Sequence, residues 1–180
     1  VRVFVSLRKA FLLLAVTLLL HGCGYELVKG PGLSGPAFSG PGGTGGTITS
    51  LSVPVFKNQT FEPQVPQFFT EAFSQELAAS GLVQLNKPNP DGVLQGTVTS
   101  VSATLAAMSG QGLAVSKVVT ATVNLTLTRE GKAVKSWGLG DSETYDASSV
   151  STEDFNKRAA LVRIAERMAR RFHSLLISGY

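Results

Sequence analysis

The stretch Val115-Ser116-Lys117-Val118-Val119-Thr120-Ala121-Thr122-Val123-Asn124-Leu125-Thr126-Leu127-Thr128 decides the fold. Val115, Val119, Ala121, Val123, Leu125 and Leu127 alternate with Ser116, Thr120, Thr122, Asn124, Thr126 and Thr128, the period-two pattern of a strand with one face buried and one wet. At about 3.3 Å per residue such a strand spans on the order of 45 Å, where an ordinary strand has roughly 5–6 residues. The sheet is therefore expected to be elongated. On the C-terminal side, Arg129-Glu130-Gly131-Lys132 reads as a hairpin turn, and residues 133–145 return as a strand with Trp137 and Leu139 in phase. On the N-terminal side, residues 93–107 are rich in Val and Thr and carry no helical stripe. Their alternation slips between Val98 and Val101, which predicts a bulge. Together these strands make a meander.

Further out, Leu51, Val53 and Val55 alternate with Ser50, Ser52 and Pro54, a strand whose proline suits an edge or an end. Val65, Phe68, Phe69, Ala72, Phe73 and Leu77 then recur at helical spacing, and Gly81 is placed to terminate that helix. Residues 82–85 leave room for a short extended piece before the Pro88-Asn89-Pro90-Asp91-Gly92 turn. Ser151 or Thr152 is expected to cap a last helix with Glu153 and Asp154 in its first turn and Arg167, Arg170 and Arg171 in its last, matching the macrodipole. Its buried stripe is read as Phe155, Ala159, Val162, Ala165, Ala169, Phe172 and Leu176. The order β-α-β-β-β-α, with one apolar face per element, predicts an α+β two-layer sandwich: two helices on one face of a mostly antiparallel, elongated, four-stranded sheet.

The 180 residues make one ordinary domain with some tail to spare. Residues 1–22 have a basic start (Arg2, Arg8, Lys9) and an apolar run of 11 residues from Ala10 to Leu20, a signal-peptide core too short for the roughly 20 residues of a spanning helix. Without that segment 13 basic face 12 acidic groups, so the formal charge of +4 gives no reason to expect a nucleic-acid partner. Leu20-His21-Gly22-Cys23 resembles a bacterial lipobox, in which the cysteine carries a diacylglycerol thioether and an N-acyl chain such as palmitate. His21 departs from the small or aliphatic residue usual there, which bears on processing efficiency. Several acyl chains hold a protein on a bilayer where one is marginal, and Gly24 after the cysteine favours, by resemblance, the outer membrane of a Gram-negative cell. Residues 30–46 hold eight Gly and three Pro in 17 positions, too little to bury against too much entropy, and read as a tether. The expected organisation is a signal over 1–22, a lipidated N-terminus and tether over 23–46, and a folded domain over 47–180.

Catalytic chemistry is not expected from these residues. Cys23 is the single cysteine and His173 the single histidine outside the signal, so neither a metal site nor a His-based triad can be assembled. His173 is read as facing solvent or the dipole near a helix end, and no Gly-rich phosphate loop joins a strand to a helix. Glu71 with Glu76, and Asp141 with Glu143, are read as solvated charge, as is the basic face of the last helix from Arg163 onward. No enzyme, metal or cofactor beyond the lipid on Cys23 is expected.

Two stretches resemble one family. Cys23-Gly24-Tyr25-Glu26-Leu27 is similar to the start of the mature LPS-assembly lipoproteins of the LptE family, and Leu51-Ser52-Val53-Pro54-Val55-Phe56-Lys57-Asn58-Gln59-Thr60-Phe61-Glu62-Pro63 resembles that family's Ile-x-Val-Pro-x-Phe-x-Asn-x-Thr-x-x-Pro entry. Asp91-Gly92-Val93-Leu94-Gln95-Gly96-Thr97-Val98 extends the likeness more loosely. The resemblance implies a non-enzymatic, periplasm-facing, outer-membrane lipoprotein that plugs the LptD β-barrel and assists delivery of lipopolysaccharide to the outer leaflet. It also implies basic residues that meet lipopolysaccharide. Residues 106–116 contain no Arg or Lys, so Lys117, Lys157 and Arg158 are the nearest substitutes, expected together at one end of the sheet. The residues leave open an alternative, an accessory lipoprotein of another secretion or envelope-assembly complex.

Overall fold

The computed structural model describes residues 48–178. The signal, Cys23 and the Gly/Pro tether fall on residues outside that range. In chain order the elements are β1 (Ser50–Ser52), β2 (Lys57–Asn58), α1 (Val65–Ser80), β3 (Gln84–Leu85), β4 (Gly92–Met108), β5 (Ala114–Arg129), β6 (Lys132–Asp146) and α2 (Val150–Ser178). Both helices pack on one face of the sheet, as the α+β reading expects. The sheet itself corrects the expectation of four mostly antiparallel strands. It has six, in the order β3-β1-β4-β5-β6 with β2 also on β4, and β1, β2 and β3 all pair in parallel.

The added strands come from one proline and one glycine. Pro54 has no N–H for a ladder, and the predicted first strand breaks around it into β1 and β2. Ser52 lies opposite Val93 and Lys57 opposite Thr97, so the chain spends one residue more than β4 does over that interval. The extra residue reverses the phase. Val55, expected inside, is 68% exposed, while Phe56 is buried. Its ring lies on Gly96, where an added Cβ would stand 2.3 Å from the ring carbons. Thr70 Oγ1 accepts a hydrogen bond from the Phe56 N–H at 2.9 Å and donates one to the Pro66 carbonyl at 2.6 Å, tying the break to α1. From Phe56 a line of rings crosses the core: Phe56–Phe73 at 5.4 Å, Phe73–Phe172 at 5.5 Å and Phe172–Trp137 edge-on at 5.1 Å.

At the start of β4, Asp91 Oδ2 accepts the N–H groups of Thr49 (2.9 Å) and Ser50 (3.0 Å) and the Thr49 hydroxyl (2.7 Å), and Ser50 Oγ accepts the Asp91 N–H at 3.0 Å. These bonds, the Thr49 hydroxyl first, lower the Asp91 pKa to about 2.

The predicted bulge falls at Thr99, between the pairs Val98↔Val123 and Ser100↔Thr122. The hairpin turn has positive φ at both Glu130 (49°) and Gly131 (76°), the twist a two-residue loop needs. The three long strands have 17, 16 and 15 residues, so the sheet is elongated as expected.

The first helix buries Val65, Phe69, Ala72, Phe73 and Leu77, close to its expected stripe, and ends on Gly81 at φ 65°. The second departs in three ways. The Ser149 carbonyl accepts the N–H groups of Thr152 and Glu153, so the cap stands earlier than Ser151. The helix continues to Ser178, so Arg167 to Arg171 are not its last turn. The expected Ala165, Ala169, Phe172 and Leu176 are buried, but Ala160, Leu161, Ile164 and Met168 complete the stripe in place of Phe155, which is 72% exposed, and Val162. The sequence offers two apolar faces on this helix, and only the one turned to β5, β6 and α1 meets a partner.

Candidate functional site

The face of the sheet turned away from the helices is lined mainly by hydroxyl-bearing side chains. Residues paired across a ladder share a face. The registers therefore place Gln95, Thr97, Ser100, Ser102 and Thr104 of β4, Thr120, Thr122, Asn124, Thr126 and Thr128 of β5, and Ser136, Gly138, Gly140, Ser142 and Thr144 of β6 side by side. None is charged. Several hydroxyls are spent within the surface: Thr120 Oγ1 with Ser142 Oγ at 2.9 Å, Thr126 Oγ1 with Ser136 Oγ at 3.1 Å, and Thr99 Oγ1 to the Thr122 carbonyl at 3.2 Å. From Val118, which shares this face, to Thr128 the strip runs for roughly 35 Å; Val93 also lies on it, and Asp146, opposite Ser116, stands beyond its outer end.

Charge is concentrated behind this face, where α2 meets the sheet. Asp141 and Glu143, read from the sequence as solvated, point to the helix side of β6. Arg167 bonds Asp141 (2.7 Å), Glu143 (2.7 Å) and the Ser142 carbonyl (2.9 Å), and Arg163 bonds Glu143 (2.9 Å). Partial burial would raise both carboxyls, but the arginine hydrogen bonds prevail and hold both below the ordinary range. Arg163 and Arg167 thus clamp α2 to β6 instead of forming a free helical face. His173 likewise departs from its solvent-facing expectation, since its Nδ1 lies 3.0 Å from Glu76 Oε1 and bridges the two helices.

Lys117 and Lys157 both lie beside the first turns of α2. Each is already engaged by a carboxylate: Lys117 with Glu153 and Lys157 with Glu62 at 2.6 Å. The Glu153 bond raises the Lys117 pKa. The buried Tyr145 hydroxyl between them is raised by burial first and by Glu153 next, while both lysines oppose the rise. Arg158 pairs one turn back with Asp154 at 2.7 Å and lines a shallow crevice with Glu62 and Phe68.

The loop from Asn58 to Glu62 is built by one side chain. Asn58 Oδ1 accepts the Thr60 N–H (2.9 Å) and hydroxyl (2.8 Å), and its Nδ2 donates to the Glu62 carbonyl at 3.0 Å. The loop holds Phe61 wholly in solvent and presents Glu62 to Lys157.

Sequence reasoning missed the Phe56–Gly96 seat, the Asp91 staple and the Arg167 clamp. Only Gly96, a glycine inside a strand pattern, gave a signal for any of them. A cavity of about 180 Å³ beside Thr49, Leu82 and Gln84 has no titratable lining residue and falls short of the roughly 300 Å³ at which ligand pockets begin. Among the described residues no group of three or more His, Cys, Asp or Glu could hold a metal.

Comparison with known proteins agrees with this architecture. Among the solved structures that share the fold are two lipoproteins. A minor lipoprotein from Acinetobacter baumannii is 16% identical, with 72% of this chain and 91% of that one covered at a TM-score of 0.50. The rare lipoprotein B from Shewanella oneidensis is 12% identical, with 71% and 94% covered at a TM-score of 0.51. No curated protein matches the sequence. The family described as LptE, lipopolysaccharide-assembly, matches residues 48–176, nearly the whole of the described domain. The chain belongs to the LptE family of lipopolysaccharide-assembly proteins.

Proposed function

We propose that this chain is an outer-membrane lipoprotein, anchored through acylated Cys23, that forms a complex with an LptD-type β-barrel and fills its lumen while lipopolysaccharide is assembled into the outer leaflet. The observation that carries this reading is the uncharged, hydroxyl-rich strip across β4, β5 and β6. The lumen of a large barrel is polar, and a plug can press such a face against it without stranding a buried charge. The charges of Asp141, Glu143, Arg163 and Arg167 are paired on the other side of the sheet, away from that contact. No helix among the described residues is long and apolar enough to cross a membrane, so this reading assigns membrane attachment to Cys23.

Tagged full-length protein extracted in mild detergent is expected to bring an outer-membrane β-barrel with it, and recovery of the lipoprotein alone would defeat the plug role. Mass spectrometry is expected to find Cys23 carrying a diacylglycerol thioether and an N-acyl chain. An unmodified sulfhydryl in the mature protein would defeat the anchor.

Within this reading, Lys117, Lys157 and Arg158 meet lipid A phosphates by exchanging their carboxylate partners for a doubly charged acceptor. Reversing them to Glu would set carboxylates against Glu153, Glu62 and Asp154, so neutral Gln at all three positions is the cleaner probe. Weaker lipopolysaccharide binding at an unchanged melting temperature is expected, and undiminished binding would dismiss the contact.

A further inference from the structure

The outer end of the β4–β5 hairpin carries apolar side chains into solvent. Residues 100–116, from the second half of β4 through the turn into β5, contain no charge. Leu105, Met108 and Leu113 are 49%, 58% and 65% exposed, and Ala106 and Ala107 are exposed beside them. The turn that holds them is ordered by its own groups. Ser109 N–H donates to the Leu113 carbonyl at 2.8 Å and Gly112 N–H to the Ser109 carbonyl at 3.0 Å, while Ser109 Oγ accepts the N–H groups of Gln111 and Leu113, both at 3.3 Å. Behind the tip the first cation is Lys117, which the register sets directly opposite Leu105 on the helix side of the sheet.

We propose that Leu105, Met108 and Leu113 form a seat for the fatty acyl chains of lipopolysaccharide, next to the cations that meet its phosphates. This rests on the lipopolysaccharide-assembly part of the proposed function and extends it from headgroup to hydrocarbon. Three observations select acyl chains as the occupant. Cross-strand partners carry Cβ atoms roughly 5 Å apart, so Lys117 and Leu105 set a positive charge directly beside apolar surface, the complement of an amphiphile whose phosphate adjoins its chains. Next, four of the five N–H groups of residues 109–113 are spent inside the turn, and no charge has to leave water, so an apolar surrounding costs the tip little. Last, residues 100–116 offer none of the Trp, Tyr or Arg anchors that carry protein interfaces. They offer instead a flexible methionine between two leucines, which adapts to chains of varying shape.

Contact is made by side chains already at the surface, so the lipid does not enter the core and one copy of the domain suffices. The two parts of the site then read different things. Lys117, Lys157 and Arg158 treat an intact and a deacylated lipid alike, whereas the tip responds only to the intact one.

The test uses the full-length chain produced in a Gram-negative cell, with Leu113→p-benzoylphenylalanine as a photo-crosslinker at the tip and Thr126→p-benzoylphenylalanine on the open face. After irradiation and purification, mass spectrometry is expected to find the tip variant joined to an acyl chain of lipopolysaccharide. In a second arm the purified full-length protein, held in phosphatidylcholine nanodiscs, is titrated with lipopolysaccharide and with its deacylated form. Leu105→Ser with Met108→Ser and Leu113→Ser is expected to weaken binding of the intact lipid by about tenfold and to leave that of the deacylated form unchanged. The melting temperature should hold, because all three side chains are exposed. Gln at residues 117, 157 and 158 is expected to weaken both lipids alike. A cross-link from residue 113 to phospholipid or protein alone, or none, overturns the proposal. So does a triple serine variant that binds intact lipopolysaccharide like the wild type, or that loses the deacylated form by the same factor. The plug role fails separately: no barrel adduct at residue 126, with the acyl adduct present at residue 113, removes the lumen and supports the seat.

Discussion

The two halves of β4 have nearly the same chemistry and opposite fates, while its partner β5 stays buried through Val119 and Ala121. Before the Thr99 bulge, Leu94 and Val98 of β4 and Val123, Leu125 and Leu127 of β5 are at most 1% exposed beneath the helices and the line of aromatic rings. After it, Val101 and Leu105 follow the same alternation on β4, yet Leu105 is 49% exposed. Alternation therefore decides which way a side chain points. Whether it is buried depends on a second layer arriving above it, and here that layer covers only part of the hairpin.

The largest effect that would break this contrast is expected at Phe172, which joins the rings of Phe73 and Trp137. Phe172→Ala should cost about 3–5 kcal/mol by chemical denaturation, against under about 0.5 kcal/mol for Leu105→Ala in the uncovered half. A loss at Leu105 equal to that at Phe172 would show the outer half to be covered in solution. Next is Gly96→Ala, which drives a methyl group into the Phe56 ring and should cost about 1–3 kcal/mol. Adding Phe56→Ala to that variant should cost less than it does in the wild type, a sub-additivity that a double-mutant cycle would measure.

Smaller still is Arg167→Ala. Its side chain is 36% exposed, so solvent screening limits the loss to about 1 kcal/mol despite its three partners. The variant should melt slightly earlier and show faster exchange along β6.

The next effect appears as a pH slope. The Asp91 pKa is depressed, so its staple contributes stability above the ordinary aspartate range near 3.8, and that contribution is lost as the pH falls towards about 2. The stability difference between wild type and Asp91→Ala should be constant near neutrality and narrow across that window. A difference independent of pH would show that the carboxylate charge is not what the Thr49 and Ser50 groups hold.

Much of this was legible in the sequence because it is local. The meander, the slip near Val98, the turn at Glu130-Gly131 and the stop at Gly81 each show within a few residues. Parallel pairing was not, because β1, β2 and β3 have 3, 2 and 2 residues, too few for any periodic signal. The misread first half of the α2 stripe has a similar cause, since Phe155 and Val162 are as apolar as the residues that are buried, and only the layer beneath distinguishes them. Of the candidate site, the uncharged open face was visible as alternating Thr and Ser. The engagement of Lys157 was not, because Glu62 lies 95 residues away along the chain. The Phe56–Gly96 contact was half visible: the glycine marked a close approach without naming what approaches.

The guanidinium of Arg167 seated on the Ser142 carbonyl has a consequence for growth. An incoming strand would find that acceptor already occupied and the charges of Lys132, Lys135 and Asp146 along the same border, so the layer resists extension past β6.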